Sequence, residues 1–242
     1  MKVQKDWFVS WFDTPYYHIL YKHRDDTEAQ LFMQNIIKTL QFSKNQLLLD
    51  LACGKGRHSI YLNSLGYNVI GADLSKNSIA HAKQFSNERL QFFEHDMRDP
   101  FLNKYDVILN LFTSFGFFED DNEDISILRN IKNGLQKNGL AVIDFMNSKA
   151  VLNDLVKTET VTIDEITFEI SRYTKDGFII KEINFVTDGK QHTYYEKVKL
   201  LPLEKIKKFL EIVGFSIKYV FGDYELNTFD EEKSNRLILV LE

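Results

Sequence analysis

A glycine-containing turn in the first half of the chain has the residue types needed to hold a ligand. Residues 47–58 read L-L-L-D-L-A-C-G-K-G-R-H, so one carboxylate, Asp50, interrupts an apolar run just before two glycines. Gly54 and Gly56 have no Cβ, which lets the backbone take positive φ and approach a ligand closely. A helix beginning at Arg57 would add free backbone N–H groups at the same point. The segment therefore predicts a strand, a ligand-binding turn and a helix.

Further acidic and polar residues follow later apolar segments. Asp73 comes about 20 residues after the turn, where an acid can accept hydrogen bonds from ribose hydroxyls. Asp96 lies in H-D-M-R, and Asn110 begins N-L-F-T-S-F-G. Ligands of open α/β sheets bind beyond the carboxyl ends of the strands. We therefore expect these groups to converge on one site.

The apolar pattern alternates between strands and helices, which is typical of right-handed βαβ units. It predicts an α/β fold with a doubly wound, mostly parallel, Rossmann-like seven-stranded sheet that has helices on both faces. Asp25 and Asp26 are candidate N-caps of the first helix, and Lys137-Asn138-Gly139 is a predicted helix stop. The predicted strands are 47–52, 68–72, 90–94, 105–109, 140–145, 215–222 and 235–241, and the predicted helices are 26–41, 57–65, 75–85, 121–136 and 202–213.

The segment after Asn147 changes to a period of two, which predicts three or four antiparallel strands between about 161 and 201. Two Asp-Gly pairs in it are strong hairpin signals. We therefore divide the chain into a core of residues 1–147 and 201–242 and a small antiparallel β insertion, residues 148–200, that caps the site. Residues 1–24 are rich in aromatic side chains, which predicts an ordered segment that folds over another part of the protein or its ligand rather than a disordered tail.

The composition excludes several classes of protein. The chain has 242 residues and a net charge of −5, so the charge footprint of a nucleic-acid binder is absent. No apolar run reaches the roughly 20 residues that a membrane span needs. The opening residues lack the apolar core of a secretory signal and Cys53 has no partner cysteine, so we expect a cytoplasmic protein. The histidine spacing predicts no metal site.

Two cofactors fit a glycine turn followed by a ribose-binding acid. A dinucleotide favours G-x-G-x-x-G, whose third glycine allows close helix packing beside the pyrophosphate. That glycine is missing from A-C-G-K-G-R-H. S-adenosylmethionine (SAM) has no pyrophosphate, and its amino acid tail needs backbone groups and one carboxylate. Asp50 could supply that carboxylate, acting through the turn or a water on the ligand's ammonium.

At these motifs the chain resembles class I SAM-dependent methyltransferases of the small-molecule type. Their first motif, D/E-x-G-x-G-x-G, is matched from Asp50 to Gly56, with Ala52 in place of the first glycine. Asp73 matches the family's ribose-binding acid, with Leu74 beside the adenosine. Asp96 and Met97 match the adenine contact, and Asn110-Leu111-Phe112 matches the segment beside the sulfonium. The N-terminal segment resembles the lid of these enzymes, in which an aromatic side chain covers the cofactor. Tyr17 and Tyr21 are the two candidates for that side chain. The residues assigned to the cofactor in this way are Tyr17, Asp50, Ala52, Cys53, Gly54, Gly56, Asp73, Leu74, Asp96, Met97, Asn110, Leu111 and Phe112.

The resemblance implies methyl transfer from SAM to a nitrogen or oxygen atom of a small molecule, with S-adenosylhomocysteine (SAH) as the second product. The fourth-strand segment lacks the prolines of the D/N-P-P-Y motif of DNA amino-methyltransferases, which argues against DNA as the acceptor. No general base is identifiable, and monomer and homodimer both stay open. An NAD-dependent Rossmann oxidoreductase and a non-catalytic protein that binds SAM or SAH are the alternatives.

Overall fold

The computed structural model describes residues 6–22 and 26–242, and within them seven strands form one sheet and four form another. Asp25, a predicted N-cap, lies outside the described residues. The strands are β1 Leu47–Leu51, β2 Asn68–Asp73, β3 Leu90–Glu94, β4 Tyr105–Asn110, β5 Leu135–Met146, β6 Thr158–Ile163, β7 Ile166–Lys175, β8 Phe178–Thr187, β9 Lys190–Lys199, β10 Ile217–Phe221 and β11 Arg236–Leu241. The helices are α1 Trp7–Trp11, α2 Pro15–Leu20, α3 Asp26–Leu40, α4 Arg57–Ser64, α5 Lys76–Ala82, α6 Asp121–Gly134, α7 Ser148–Asn153 and α8 Leu203–Val213, with a 3₁₀ turn at Lys83–Phe85.

The larger sheet has the strand order β10-β11-β5-β4-β1-β2-β3. Strands β1 to β5 are parallel, whereas β11 pairs antiparallel with β5 and β10 with β11. The order reverses between β1 and β4, which is the switch point where such sheets bind ligands. The predicted doubly wound, mostly parallel, seven-stranded α/β fold is confirmed.

Alternate side chains of the central strands feed two separate cores, as the two-residue period of a strand requires. Leu49 and Leu51 of β1 pack on the face that carries α1, α6, α8 and the smaller sheet. Leu48 packs on the opposite face, against α3, α4 and α5. This double burial explains why β1 reads as a continuous apolar run in the sequence. The one carboxylate in that run is consequently buried as well.

One predicted boundary is wrong. Helix α6 ends at Gly134, and the segment expected to stop it, Lys137-Asn138-Gly139, lies inside β5. The pairing of β4 with β5 is irregular here, because Tyr105 pairs with Leu135 and the regular register resumes only at Val107 and Leu140. The turn-forming residues therefore make an irregularity within a strand.

The smaller sheet, β6 to β9, is the predicted antiparallel insertion and has four strands in consecutive order. It joins the core at the end of β9, where Lys199 is 4% exposed and donates to Asp124 at 2.5 Å and to Asp121 at 2.8 Å. Separating Lys199 from these carboxylates would leave a buried charge unpaired, which costs free energy of folding. The ion pairs therefore hold the smaller sheet against the core. Among the described residues, no helix is both long and apolar enough to cross a membrane.

Candidate active site

A cavity of about 1140 Å³ lies beyond the carboxyl ends of the parallel strands, at the switch point of the larger sheet. The structure thus brings residues from separate parts of the chain onto one wall. Of the residues that the sequence assigned to the cofactor, those on the wall are Tyr17, Ala52, Gly54, Asp73, Leu74, Asp96, Met97 and Phe112.

The glycine turn is held against the end of β2. The backbone N–H groups of Ala52 and Cys53 both donate to the carbonyl of Ala72, at 2.7 and 3.1 Å. Gly54 has φ +57°, and a Cβ built on it would meet no heavy atom within 4 Å because the space above it is open. Gly56 has φ +83°, and a Cβ there would lie 2.6 Å from the ring of Phe92. Gly54 therefore opens the turn to a ligand, whereas Gly56 allows it to pack.

Asp73 joins this turn to the loop after β2. One carboxylate oxygen accepts the N–H of Gly54 and the other accepts the N–H of Ser75, each at 2.8 Å. Burial raises the pKa of Asp73, although these backbone hydrogen bonds favour its charged form. Each carboxylate oxygen can accept a second hydrogen bond. Asp73 can therefore hold the turn and still receive two ribose hydroxyls.

Asp96 lies after β3 in a loop that is fixed from two sides. Arg98 donates from Nε and Nη2 to its carboxylate, at 3.0 and 2.6 Å. Burial alone would raise the pKa of Asp96, but the hydrogen bonds and charge of Arg98 outweigh burial and lower it. Asn130 of α6 donates to the carbonyls of Met97 and Arg98. The carboxylate is thus ionised and oriented at the edge of the cavity.

The remaining assigned residues lie behind the wall. Asp50 is 2% exposed and accepts a hydrogen bond from Ser59 Oγ at 2.6 Å, and burial raises the pKa of Asp50 to about 6. Asn110 donates to the carbonyl of Leu51, and its Oδ1 has no hydrogen-bond partner among the described residues. The assigned residues that do not line the cavity are Asp50, Cys53, Gly56, Asn110 and Leu111. Their role in cofactor binding, like that of the residues on the wall, stays a prediction.

Sequence reasoning missed a hydrogen-bonded group behind the turn after β4. Phe112 and Thr113 have φ of +55° and +62°, and Asp144 of β5 accepts the Phe112 N–H at 2.7 Å. Arg236 donates to Asp144 at 2.8 Å and to Thr113 Oγ1 at 2.9 Å, and Tyr224 Oη lies 3.2 Å from the same carboxylate. Burial and the charge of Asp144 both raise the pKa of Tyr224. The group therefore stabilises a backbone turn that is costly without glycine.

A usable signal for this group was present in the sequence. Asp144 interrupts an apolar strand, A-V-I-D-F-M, just as Asp50 interrupts the first one. A carboxylate in a buried strand requires a partner. The partner could not be identified from the sequence, because Arg236 begins a strand 92 residues later.

The roof of the cavity comes from the N-terminal segment and the smaller sheet. Both lid candidates, Tyr17 and Tyr21, line the cavity, and β9 contributes Glu196 and Val198. The rings of the two tyrosines lie 5.0 Å apart. Further aromatic side chains that line the cavity are Trp7, Phe8 and Phe12 of the N-terminal segment and Phe117 and Phe118 of the loop between β4 and α6.

The wall chemistry fits a nucleoside that carries a positive charge. Gly54 provides an opening without a side chain, and Asp73 provides acceptors for ribose hydroxyls. Aromatic rings and carboxylates around the cavity favour a cation. Among the described residues, no group of three or more His, Cys, Asp and Glu side chains is arranged to hold a metal ion.

The comparison with known sequences agrees with a cavity wall built to bind SAM. Residues 48–139 match the sequence family described as a methyltransferase domain. The match begins in β1 and includes the glycine turn, Asp73 and Asp96. The comparisons therefore support the predicted resemblance to class I SAM-dependent methyltransferases. The same findings support the predicted SAM-dependent methyltransferase activity and SAM as the cofactor.

Individual relatives are distant in sequence but similar along most of their length. The cypemycin N-terminal methyltransferase of a Streptomyces species is 24% identical over 207 residues, which cover 81% of this chain and 82% of that protein. A SAM-dependent methyltransferase structure from Clostridium acetobutylicum has a TM-score of 0.79 at 18% identity, covering 94% of this chain and 95% of that one. The sugar N-methyltransferase KedS8 from Streptoalloteichus has a TM-score of 0.71 at 18% identity, covering 93% and 92%. These structural likenesses show a shared fold.

The two glycines of the turn allow a matched test of the wall. Gly54→Ala places a methyl group in open space, so we expect a loss of about 1 kcal/mol in stability from its positive φ and a large loss of SAH affinity. Gly56→Ala drives the same methyl group into Phe92, so we expect a loss of about 2 kcal/mol or more in stability. Chemical denaturation and calorimetric SAH titration measure the two effects. Unchanged SAH affinity in folded Gly54→Ala would contradict the placement of the cofactor here.

Proposed function

We propose that this methyltransferase moves the methyl group of SAM to a nitrogen or oxygen atom of a small molecule bound in the same cavity. The observation that carries the proposal is the cavity at the switch point, which has the glycine turn and Asp73 on its wall and the N-terminal segment on its roof. Its volume of about 1140 Å³ exceeds the upper end of ordinary ligand pockets, roughly 1,000 Å³, so there is space for a second ligand beside the cofactor.

The cofactor's nucleoside belongs at the β2 and β3 end of the cavity. Asp73 binds the ribose hydroxyls, and Leu74 packs beside the adenosine. Asp96 and Met97 contact the adenine. The backbone at Gly54 receives the amino acid tail, which leaves the sulfur near the turn that begins at Phe112. These assignments rest on the wall geometry and on the matching motifs.

The chain's contribution to the reaction is positioning. SAM supplies the methyl group on a positively charged sulfur, whose charge is lost as the methyl leaves. The protein must hold the acceptor atom in line with that bond, and such alignment can be worth an effective molarity of roughly 10⁵ to 10⁸ M. The roof formed by Tyr17, Tyr21 and β9 excludes water from the transfer. The turn at Phe112 and Thr113, which Asp144 holds, fixes the position of the cavity wall beside the sulfur.

Nitrogen is the better-supported acceptor atom. The wall near Tyr224 and Arg236 also includes Glu28, Asp223 and Glu225, so carboxylates outnumber cations there. A negative surface draws in a protonated amine, which loses a proton to water before its nitrogen attacks the methyl group, and does not favour a phosphate or carboxylate ligand. The sugar N-methyltransferase is an N-methyltransferase by name, and the cypemycin enzyme is named as an N-terminal methyltransferase. We therefore propose a small amine as the substrate class.

Asp73→Ala tests the cofactor half of the proposal. We expect SAM and SAH to bind about 1 to 3 kcal/mol more weakly, because a charged hydrogen-bond partner is lost. Asp99→Ala is the matched control, since Asp99 is an exposed acid on the loop after β3 and does not line the cavity. Calorimetric titration with SAH measures both variants. An affinity equal to that of the wild type in folded Asp73→Ala would remove Asp73 from the site.

A labelling screen tests the acceptor half. The enzyme is incubated with SAM carrying a deuterated methyl group and with pools of small amines or of hydroxyl compounds that lack an amine. Mass spectrometry then detects the labelled product and locates the label. We expect label on nitrogen in an amine pool. Label found only on oxygen would contradict the choice of nitrogen, and no label in any pool would contradict a small-molecule acceptor.

A further inference from the structure

We propose that Asp13 and Glu196 are positioning residues for the cofactor, because the two carboxylates hold the N-terminal segment, residues 6–22, closed over the cavity. Asp13 fastens the segment to the loop that carries Asp73, and Glu196 fastens it to the smaller sheet. The inference rests on the proposed placement of the cofactor. It goes beyond that placement by giving Asp13 and Glu196, which hydrogen-bond to other side chains of the protein, the role of holding the N-terminal segment over the cofactor.

Asp13 links the segment to the loop after β2 through three side-chain hydrogen bonds. Its Oδ1 accepts from Ser75 Oγ at 2.5 Å and from the Asn77 N–H at 3.1 Å, and its Oδ2 accepts from Asn77 Nδ2 at 2.8 Å. Ser75 is buried, and its own N–H donates to Asp73 Oδ1. A continuous chain of hydrogen bonds therefore runs from the segment to the proposed ribose-binding carboxylate.

Glu196 makes the second attachment, from β9 of the smaller sheet. Its carboxylate accepts from Trp11 Nε1 at 2.8 Å and from Tyr21 Oη at 2.7 Å. Lys181 of the neighbouring strand donates to the same tyrosine hydroxyl at 2.7 Å and lies 4.0 Å from the carboxylate. Glu196 thus binds one donor from α1 and one from the residue that follows α2.

The segment depends on such attachments because its helices are too short to be stable alone. Helix α1 has five residues and α2 has six, whereas isolated helices below about 12 residues are marginal in water. Aromatic packing buries Trp7 and Trp11 without fixing the segment to one loop. The two acids provide direction, because hydrogen bonds to a charged acceptor are short and geometrically specific. Loss of either attachment should loosen the roof and the Asp73 loop together.

Tryptophan fluorescence reports on this segment directly. The chain has two tryptophans, Trp7 and Trp11, and both lie in the segment. In the wild type, we expect SAH to change their emission with the same Kd that calorimetry gives. In Asp13→Ala, we expect the Kd for SAH to rise about tenfold, the loss typical of hydrogen bonds to a charged group, and the emission of the free protein to shift to longer wavelength.

Three further variants make the measurement specific. Asp13→Asn keeps one acceptor oxygen and should recover part of the lost affinity, which a general loss of folding would not explain. Glu196→Gln should raise the Kd in the same way, and it carries the test should Asp13→Ala not fold. Asp164→Asn is the matched control, because Asp164 ties Lys22 of the same segment to the smaller sheet through an exposed ion pair. Its Kd should stay within about twofold of the wild type.

The outcomes separate this proposal from the proposed function. A wild type that binds no SAH overturns both, because there is then no cofactor for the roof to position. A wild type that binds SAH, together with folded Asp13→Ala and Glu196→Gln proteins of unchanged Kd and emission, overturns only the role of the two acids. Circular dichroism at the titration temperature establishes that each variant is folded.

Discussion

The hydrogen bond from the Gly54 N–H to the Asp73 carboxylate is the interaction on which the site depends. It joins the turn after β1 to the end of β2, the two neighbouring strands beside the switch point. Gly54 can donate it only in a left-handed conformation that a side chain would disfavour. The same carboxylate reaches Ser75, and through it Asp13 of the roof. The turn, the proposed ribose-binding acid and the roof therefore form one connected structure.

Two buried carboxylates support this structure from behind. Asp50 of β1 is bonded to Ser59, which stands at the position of the third glycine in a dinucleotide fingerprint. Asp144 of β5 holds the positive-φ turn that ends β4. Both acids interrupt apolar runs of their strands, L-L-L-D-L in β1 and A-V-I-D-F-M in β5. Their burial is costly unless each has partners, so the partners and the turns that they hold are fixed in position.

Much of the fold could be predicted because its signals are local. Period-two and helical patterns, together with Asp176-Gly177 and Asp188-Gly189, predicted the strands, helices and two hairpins of the smaller sheet. The third hairpin turns at Asp164 and Glu165, with φ of +46° and +68° and no glycine to signal it. The stop at Lys137-Asn138-Gly139 was wrong because turn residues also permit irregular strand pairing.

The site was predictable where motif order along the chain places groups at strand ends, as for Asp73 and Asp96. It was not predictable where contacts join distant parts of the chain. The Arg236 pair with Asp144 spans 92 positions, and the Glu196 contact with Trp11 spans 185. No local pattern encodes such pairs. The sequence showed only that a carboxylate or an aromatic residue needed some partner.

The most direct test of the whole account is a crystal structure of the enzyme with SAH bound. We expect the ribose hydroxyls within hydrogen-bond distance of Asp73, the adenine beside Asp96 and the sulfur facing the turn at Phe112. We also expect residues 6–22 to be closed over the ligand, with Asp13 hydrogen-bonded to Ser75. Density for SAH outside this cavity, or a ribose that does not contact Asp73, would contradict it.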